Sequence, residues 1–246
     1  MNMSRYKASA IHLAISASLA VGIFACMSAL WYPKPLLDAV GGTDIFLLLL
    51  VVDVVLGPLM TLIIFDTRKK SLRFDLAVVA TVQLIALSYG LFTLLQGRPV
   101  FVAALGHRFD VVQANEVAEE DIAAAHQSLP LWGPIWVGTK APVDSKEREA
   151  ALFKALAGRD FGHTPQYHVP LQTMRDELLK WSKPIADLRA RNSAKEKEIS
   201  VWLSDHGRTD DGVVYQGLKA RSQDMAVILD AKTAEVIGIA PFKPWD

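Results

Sequence analysis

The chain has 246 residues, 51% of them hydrophobic, and its 26 basic and 26 acidic side chains give a net charge of zero. This balance provides no overall basic field, so the composition argues against a nucleic-acid-binding protein. The single cysteine, Cys26, lies in an apolar segment, so the rest of the chain can form no internal disulfide bond.

Three long apolar segments occupy the first part of the sequence. They run from about 8 to 30, from 45 to 65 and from 76 to 95. Each has about the 20 residues that an α-helix needs to cross a hydrocarbon core of ~30 Å. We therefore expect a three-span transmembrane region over residues 1–96.

The first apolar segment has two other interpretations, a secretory signal or a lipoprotein signal that ends at Cys26. The segment is long for a signal, and Phe24 is bulky where a lipoprotein site needs a small residue. The residues that follow, Trp31-Tyr32-Pro33, have the composition of an interfacial aromatic belt with a helix stop. These features favour a retained helix.

Basic residues beside the apolar segments predict the orientation. Arg5 and Lys7 precede the first segment, and four basic residues lie in the short loop 66–75 between the second and the third. Because such residues stay preferentially in the cytoplasm, we expect the N-terminus and this loop there. In a bacterium, residues 97–246 would then form a periplasmic domain attached to the inner membrane. The loop could also contact anionic lipid headgroups or a cytoplasmic partner.

Polar residues inside the second segment mark a candidate site. An ionised Asp53 would cost on the order of 3 kcal/mol at this depth, so it should be protonated, paired or turned towards protein. Pro58 should free the carbonyl of Val54 and bend the helix. The spans could simply pack on one another, or they could receive a partner's helix, or Asp53 could carry protons. The candidate intramembrane site comprises Asp53, Gly57, Pro58, Thr61 and Gln83.

Residues 97–246 have the pattern of a soluble α+β domain with a small antiparallel sheet packed by helices. The predicted strands are 99–104, 108–114, 132–139, 213–218, 225–229 and 234–239. The predicted helices are 119–129, 144–156, 171–181, 186–191 and 194–203.

Three tryptophans in this domain lie near prolines in weakly patterned segments. Core packing explains them most simply, since buried aromatic rings remove large areas from water. They could instead form a protein-binding surface, in which tryptophan is a common anchor. The candidate residues are Trp132, Trp136 and Trp245.

No pattern in the sequence indicates catalysis, a cofactor or a metal. His163 and His168 have a spacing that neither a helix nor a strand brings together, which disfavours zinc. Asp205-His206 lacks the G-x-S-x-G elbow that accompanies a hydrolase triad. Neither a phosphate-binding loop nor a dinucleotide fingerprint is present. We expect a protein that is not an enzyme and has no cofactor.

Short motifs distributed along nearly the whole chain form a recognisable set. They are Trp31-Tyr32-Pro33, 53–61, 70–76, Gln83-Leu84, Tyr89-Gly90, 98–101, Arg108-Phe109, 114–116, 221–225 and 243–245. In these motifs the sequence resembles the bacterial type IV pilin accessory proteins of the TfpX/TfpZ kind, which include the FimB-like fimbrial assembly proteins. His107 and Ala234 depart from the family pattern, where an acidic residue and glycine are expected.

This resemblance implies a non-enzymatic inner-membrane accessory factor for type IV pili and twitching motility, dedicated to one major pilin. Its expected partners are that pilin, inner-membrane assembly proteins and membrane lipid. A second hypothesis is an envelope sensor or scaffold that binds a ligand through its periplasmic domain, although the chain encodes no cytoplasmic output domain. A periplasmic enzyme would need a convergent polar pocket, which no pattern indicates.

Overall fold

The computed structural model describes residues 3–245, which form two compact units. The first unit holds residues 3–30 and 42–96, and the second holds residues 31–41 and 97–245. The segment 31–41 therefore belongs with the C-terminal part, although it lies between two apolar helices in the sequence. The assignment of the two regions to membrane and periplasm stays a prediction.

The first unit consists of apolar helices. Helix α1 spans Arg5–Leu30, and after the short helix α2 (Leu36–Ala39) of the second unit comes an apolar helical stretch from Gly42 to Ile64. Helix α5 spans Leu72–Gln96. These three stretches have mean hydropathies of 2.1, 2.7 and 2.0 and are long enough to cross a membrane. The predicted three apolar helices are confirmed.

The middle stretch changes its hydrogen-bond spacing. Helix α3 (Gly42–Leu50) continues into a π-helical turn, Val51–Leu56, which leads into helix α4 (Gly57–Ile64). Within the turn, the Gly57 N–H donates to the carbonyl of Val52, five residues back. With the same five-residue spacing, an N–H at position 58 would donate to the carbonyl of Asp53, but Pro58 has no N–H. The carbonyl freed by Pro58 is therefore that of Asp53, and not that of Val54 as α-helical spacing suggested.

The second unit contains a curled sheet of eight strands with helices around it. The strand order is β4-β3-β1-β2-β6-β7-β8, with β5 paired to β6. The strands are β1 (Pro99–Ala104), β2 (Phe109–Gln113), β3 (Ile135–Thr139), β4 (His168–Pro170), β5 (Lys183–Pro184), β6 (Val213–Lys219), β7 (Met225–Asp230) and β8 (Val236–Ala240). The helices are α6 (Glu119–Ala124), α7 (Ser145–Leu156), α8 (Arg175–Trp181), α9 (Ile185–Arg191) and α10 (Glu196–Asp205).

The sheet is mixed, so the prediction of a small antiparallel sheet was wrong. Strands joined by short turns are antiparallel, as in β1–β2, β6–β7 and β7–β8. Strand β3 instead pairs parallel with β1, and β6 pairs parallel with β2. Parallel pairing needs a crossover of a dozen or more residues, and the long helical connections before β3 and β6 provide it.

The core lies on both sides of the central strands. Every residue of β1 and β2 is buried, including the polar Asp110 and Gln113 of β2, so both faces of these strands are covered. One cluster packs Phe101 and Val112 against Val137 of β3. A second packs helices α9 and α10 against β6 and β7 through side chains such as Leu188 and Ile228.

The turn between β7 and β8 is built around Asp230. Its Oδ1 accepts hydrogen bonds from the N–H groups of Lys232 and Thr233 at 2.9 and 3.0 Å. These bonds, together with Arg208, lower the pKa of Asp230 to about 2. Ala234 completes the turn at φ 60°, a left-handed conformation that glycine adopts more easily.

Candidate functional site

The polar residues predicted inside the second apolar segment lie within the helix bundle of the first unit. Asp53 is only 9% exposed and sits in the π-helical turn. The Gln83 side chain on α5 donates from Nε2 to the freed carbonyl of Asp53 at 3.3 Å. In this buried position, the amide of Gln83 replaces the donor that Pro58 lacks.

Gly57 makes this contact possible. A Cβ at position 57 would lie 2.0 Å from Nε2 of Gln83, so any side chain there would displace the amide. The structure thus brings Asp53, Gly57, Pro58 and Gln83 together as one unit, in which each residue has a distinct geometric role.

Thr61 extends the polar site towards helix α1. Its side chain is buried, and its Oγ1 lies 2.6 Å from Nδ1 of His12. One turn earlier on α1, the Ser9 hydroxyl donates to the carbonyl of Pro58 at 2.8 Å. Ser9 and His12 were not among the site residues predicted from the sequence. The sequence did indicate His12, because an ionisable residue within a span is a candidate functional residue by default.

The described part of the chain contains no cluster of three or more His, Cys, Asp or Glu side chains suited to a metal. His163 and His168 have separate partners: Nδ1 of His163 lies 2.9 Å from Asp160, and Nε2 of His168 lies 2.9 Å from the carbonyl of Gly162. Burial lowers the pKa of His168. Both imidazoles are thus held by hydrogen bonds within their own segment.

Asp160 and His163 belong to a charged cleft on the second unit. Arg108 binds Asp110 through two hydrogen bonds of 2.6 and 3.0 Å and lies 3.5 Å from Asp160. Burial alone would raise the pKa of Asp160, but the bond and charge of His163, with help from Arg108, hold it below its usual value. Burial would lower the pKa of His163, but Asp160 outweighs it and the pKa is raised.

Two C-terminal motifs of the sequence meet in the second unit. Trp245 donates from Nε1 to Asp224 at 2.8 Å, and the other oxygen of Asp224 accepts from the Ala220 N–H at 2.9 Å. The Trp245 ring lies so close to Gly217 on β6 that a Cβ there would be 1.8 Å from Cζ3. This C-terminal cluster of Gly217, Asp224 and Trp245 fixes the chain end against the sheet.

The segment 31–41 docks next to the same cluster. The carbonyl of Ala39 accepts from the N–H groups of Ser222 and Gln223 at 2.8 and 3.1 Å. Tyr32 is only 1% exposed, and burial raises its pKa. Tyr32 is thus buried in the second unit, whereas the sequence indicated an interfacial belt.

The three candidate tryptophans occupy different environments. Trp132 is 64% exposed. Trp136 on β3 packs edge-on against Phe109, with ring centroids 5.7 Å apart. Trp245 contacts β6, which β1 and β2 separate from β3. The structure therefore does not gather them into one patch, and their role in protein binding stays a prediction.

Comparison with known proteins identifies relatives over nearly the full chain. Two fimbrial assembly proteins of Dichelobacter nodosus, of serogroups I and E1, are 26% and 25% identical over 94% of this chain and 94% of their own length. A third, of serogroups C1 and C2, is 32% identical over 108 residues, which are 42% of this chain and 82% of the relative. No family model matches the chain, and no solved structure matches it significantly.

Proposed function

The chain belongs to the fimbrial assembly protein family, and on this premise we propose that it is a non-enzymatic inner-membrane accessory factor for type IV pili, acting on one specific major pilin. The observation that carries the proposal is the alignment with fimbrial assembly proteins over 94% of both chains. An alignment of that extent includes both structural units, so the proposed role concerns the whole molecule.

The two units suit a partner that is itself divided between membrane and water. The three apolar helices of the first unit have the length and hydropathy of membrane spans. The second unit has a sheet with its own buried core. A pilin carries an apolar N-terminal helix and a globular head, so this protein could hold the helix in the bilayer and the head outside it.

The proposed orientation places the loop between α4 and α5 in the cytoplasm and the second unit in the periplasm. Support comes from the basic residues Arg68, Lys69, Lys70 and Arg73 in or beside that loop, because short basic loops stay preferentially inside. In this orientation the second unit and the pilin head share a compartment.

One surface of the second unit is a candidate for pilin contact. On the second unit, Trp132 is a large exposed aromatic side chain of the kind that anchors protein interfaces.

Co-purification tests the proposal. The tagged full chain is isolated in mild detergent from cells that express either its cognate major pilin or a pilin from another strain. We expect the cognate pilin to be retained at least tenfold more than the other. Trp132→Ala should reduce retention if this side chain is an anchor, and Val143→Ala, at another exposed apolar position, serves as its control. Equal recovery of both pilins, or recovery of neither, would contradict the proposal.

A further inference from the structure

A groove of about 380 Å³ opens between the apolar helices of the first unit. Helices α1 and α5 form its two walls, α4 contributes Thr61, and Phe65 follows directly after α4. The wall residues recur at three- and four-residue spacing, which places each set on one face of its helix. They are Ala8, Ile11 and Ile15 on α1, and Leu76, Val79 and Ala80 on α5.

A basic residue extends each wall by one helical turn. Arg5 lies three residues before Ala8, and Arg73 lies three residues before Leu76, so each continues the face that lines the groove. Both arginines are exposed. Among the described residues, neither forms a salt bridge, although the charge of Arg5 helps to lower the pKa of Asp66, after the hydrogen bonds that Asp66 accepts from Arg68. The two acidic residues at this end each pair directly with another cation. These ion pairs are Arg68–Asp66 and Lys69–Asp75.

Two polar side chains lie deeper in the groove. His12 and Thr61 both line it and are joined by a hydrogen bond of 2.6 Å. His12 is seven residues beyond Arg5, which corresponds to about 10 Å along a helix. Arg5 and Arg73 therefore lie at one end of the groove, and the hydrogen-bonded pair of His12 and Thr61 lies deeper. Apolar side chains line both walls.

We propose that this groove binds one anionic glycerophospholipid, with its phosphate between Arg5 and Arg73 and one acyl chain along the apolar walls. The two cations at one end of the groove and the apolar walls beyond them match the anionic headgroup and the hydrocarbon of such a lipid, and basic pockets between spanning helices bind anionic headgroups. This inference requires the membrane insertion proposed above but is independent of any pilin.

A transmembrane helix of another chain fits this groove less well. A helix is about 10 Å across and rises 5.4 Å per turn, so the groove has roughly the volume of a single turn. A spanning helix would leave most of its length outside the groove and would bring no negative charge to the arginines unless it carried one.

The test compares spin-labelled phosphatidylglycerol with spin-labelled phosphatidylcholine of the same chain length, using the purified full chain in phosphatidylcholine vesicles. Each basic side chain near an anionic lipid contributes roughly a fivefold factor in affinity. We expect phosphatidylglycerol to be preferred by about fivefold to thirtyfold in the immobilised fraction. The Arg5→Gln/Arg73→Gln variant should lose this preference, and Ala80→Trp, which fills the groove and keeps both charges, should lose it too.

The matched control is Arg68→Gln/Lys69→Gln, which removes the same charge at the same end of the bundle but at side chains that pair with Asp66 and Asp75. This control should keep the preference. An equal loss in both double variants would assign the effect to the general field of the loop and overturn the proposal. It would also be overturned by an unaltered preference in Ala80→Trp, by equal binding of both lipids to the unsubstituted chain, or by a dimer that Ala80→Trp dissociates.

Discussion

Gly57 is the residue whose missing side chain has the clearest structural consequence. Alanine at this position would force Nε2 of Gln83 away and would break its hydrogen bond to the Asp53 carbonyl. An unsatisfied buried polar group costs about 1–3 kcal/mol. We expect Gly57→Ala to lower the melting temperature of the full chain in detergent by roughly 3–10 °C.

Gly22 supplies the matched control for this prediction. It lies in α1, and a Cβ there would meet no heavy atom within 4 Å. Since alanine favours a helix over glycine by about 1 kcal/mol, Gly22→Ala should be neutral or slightly stabilising. If the two variants melted together, the close approach of Gln83 would have no energetic importance.

The Asp160–His163 pair predicts a pH dependence of stability. The raised pKa of His163 gives stability that is fully present below its unfolded value near 6.5 and is lost as the pH rises through the folded value. The lowered pKa of Asp160 gives stability that is present above its unfolded value of 3.8 and is lost on acidification. The Asp160–His163 pair therefore stabilises the folded chain most between about pH 3.8 and pH 6.5, where Asp160 is ionised and His163 is protonated.

Replacing His163 by glutamine removes the titration of this pair while keeping a polar side chain. We expect His163→Gln to lose about 1 kcal/mol relative to the unsubstituted chain at pH 5 and clearly less at pH 8. Thermal unfolding of the full chain in detergent at both pH values measures the difference. A loss that is equal at both pH values, or larger at pH 8, would show that protonation of His163 does not stabilise the second unit.

At the scale of single elements, the turn between β7 and β8 contains a testable conflict between residue and conformation. Ala234 has φ 60°, where an L-residue costs roughly 1–2 kcal/mol and glycine costs little. Ala234→Gly should therefore stabilise the chain by up to about 1 kcal/mol. Ala231→Gly, in the same turn at a position without positive φ, should destabilise it by about 0.5–1 kcal/mol. Melting temperatures that fall equally in both variants would contradict this assignment.

The sequence predicted most elements but not their arrangement. Period and composition located the three apolar helices and helix α7, which Asp144 caps by accepting hydrogen bonds from the N–H groups of Lys146 and Glu147. Strand pairing depends on which strands, distant in sequence, lie next to each other in the sheet. Local sequence patterns contain no information on these neighbours. The parallel pairs β1–β3 and β2–β6 were missed for this reason.

For the candidate site, too, the sequence predicted the residues but not their arrangement. Asp53, Gly57, Pro58 and Gln83 could be selected because polar residues and proline are costly in a span. The π-helical turn could not, since it shifts the hydrogen-bond spacing without a distinctive residue pattern. The docking of Ala39 against Ser222 also joins residues far apart in sequence, which no local pattern indicates.

At the scale of the whole molecule, the proposed topology predicts where reporters function. A reporter active only in the periplasm should be active when fused after Gly97 or at Asp246, and inactive when inserted within Arg68–Lys70. Replacing Lys69 and Lys70 by glutamate should weaken this pattern, because basic residues in short loops set orientation. Activity within the basic loop, with inactivity at the C-terminus, would reverse the proposed orientation.

The central claim is that this protein acts in type IV pilus assembly, and the most direct measurement is surface pilin in the native strain after a clean deletion of its gene. Surface pilin, sheared from cells and quantified by immunoblot, should fall at least tenfold while the pilin gene is still transcribed. A plasmid copy of the full chain should restore it. Normal surface piliation in the deletion strain would contradict the account.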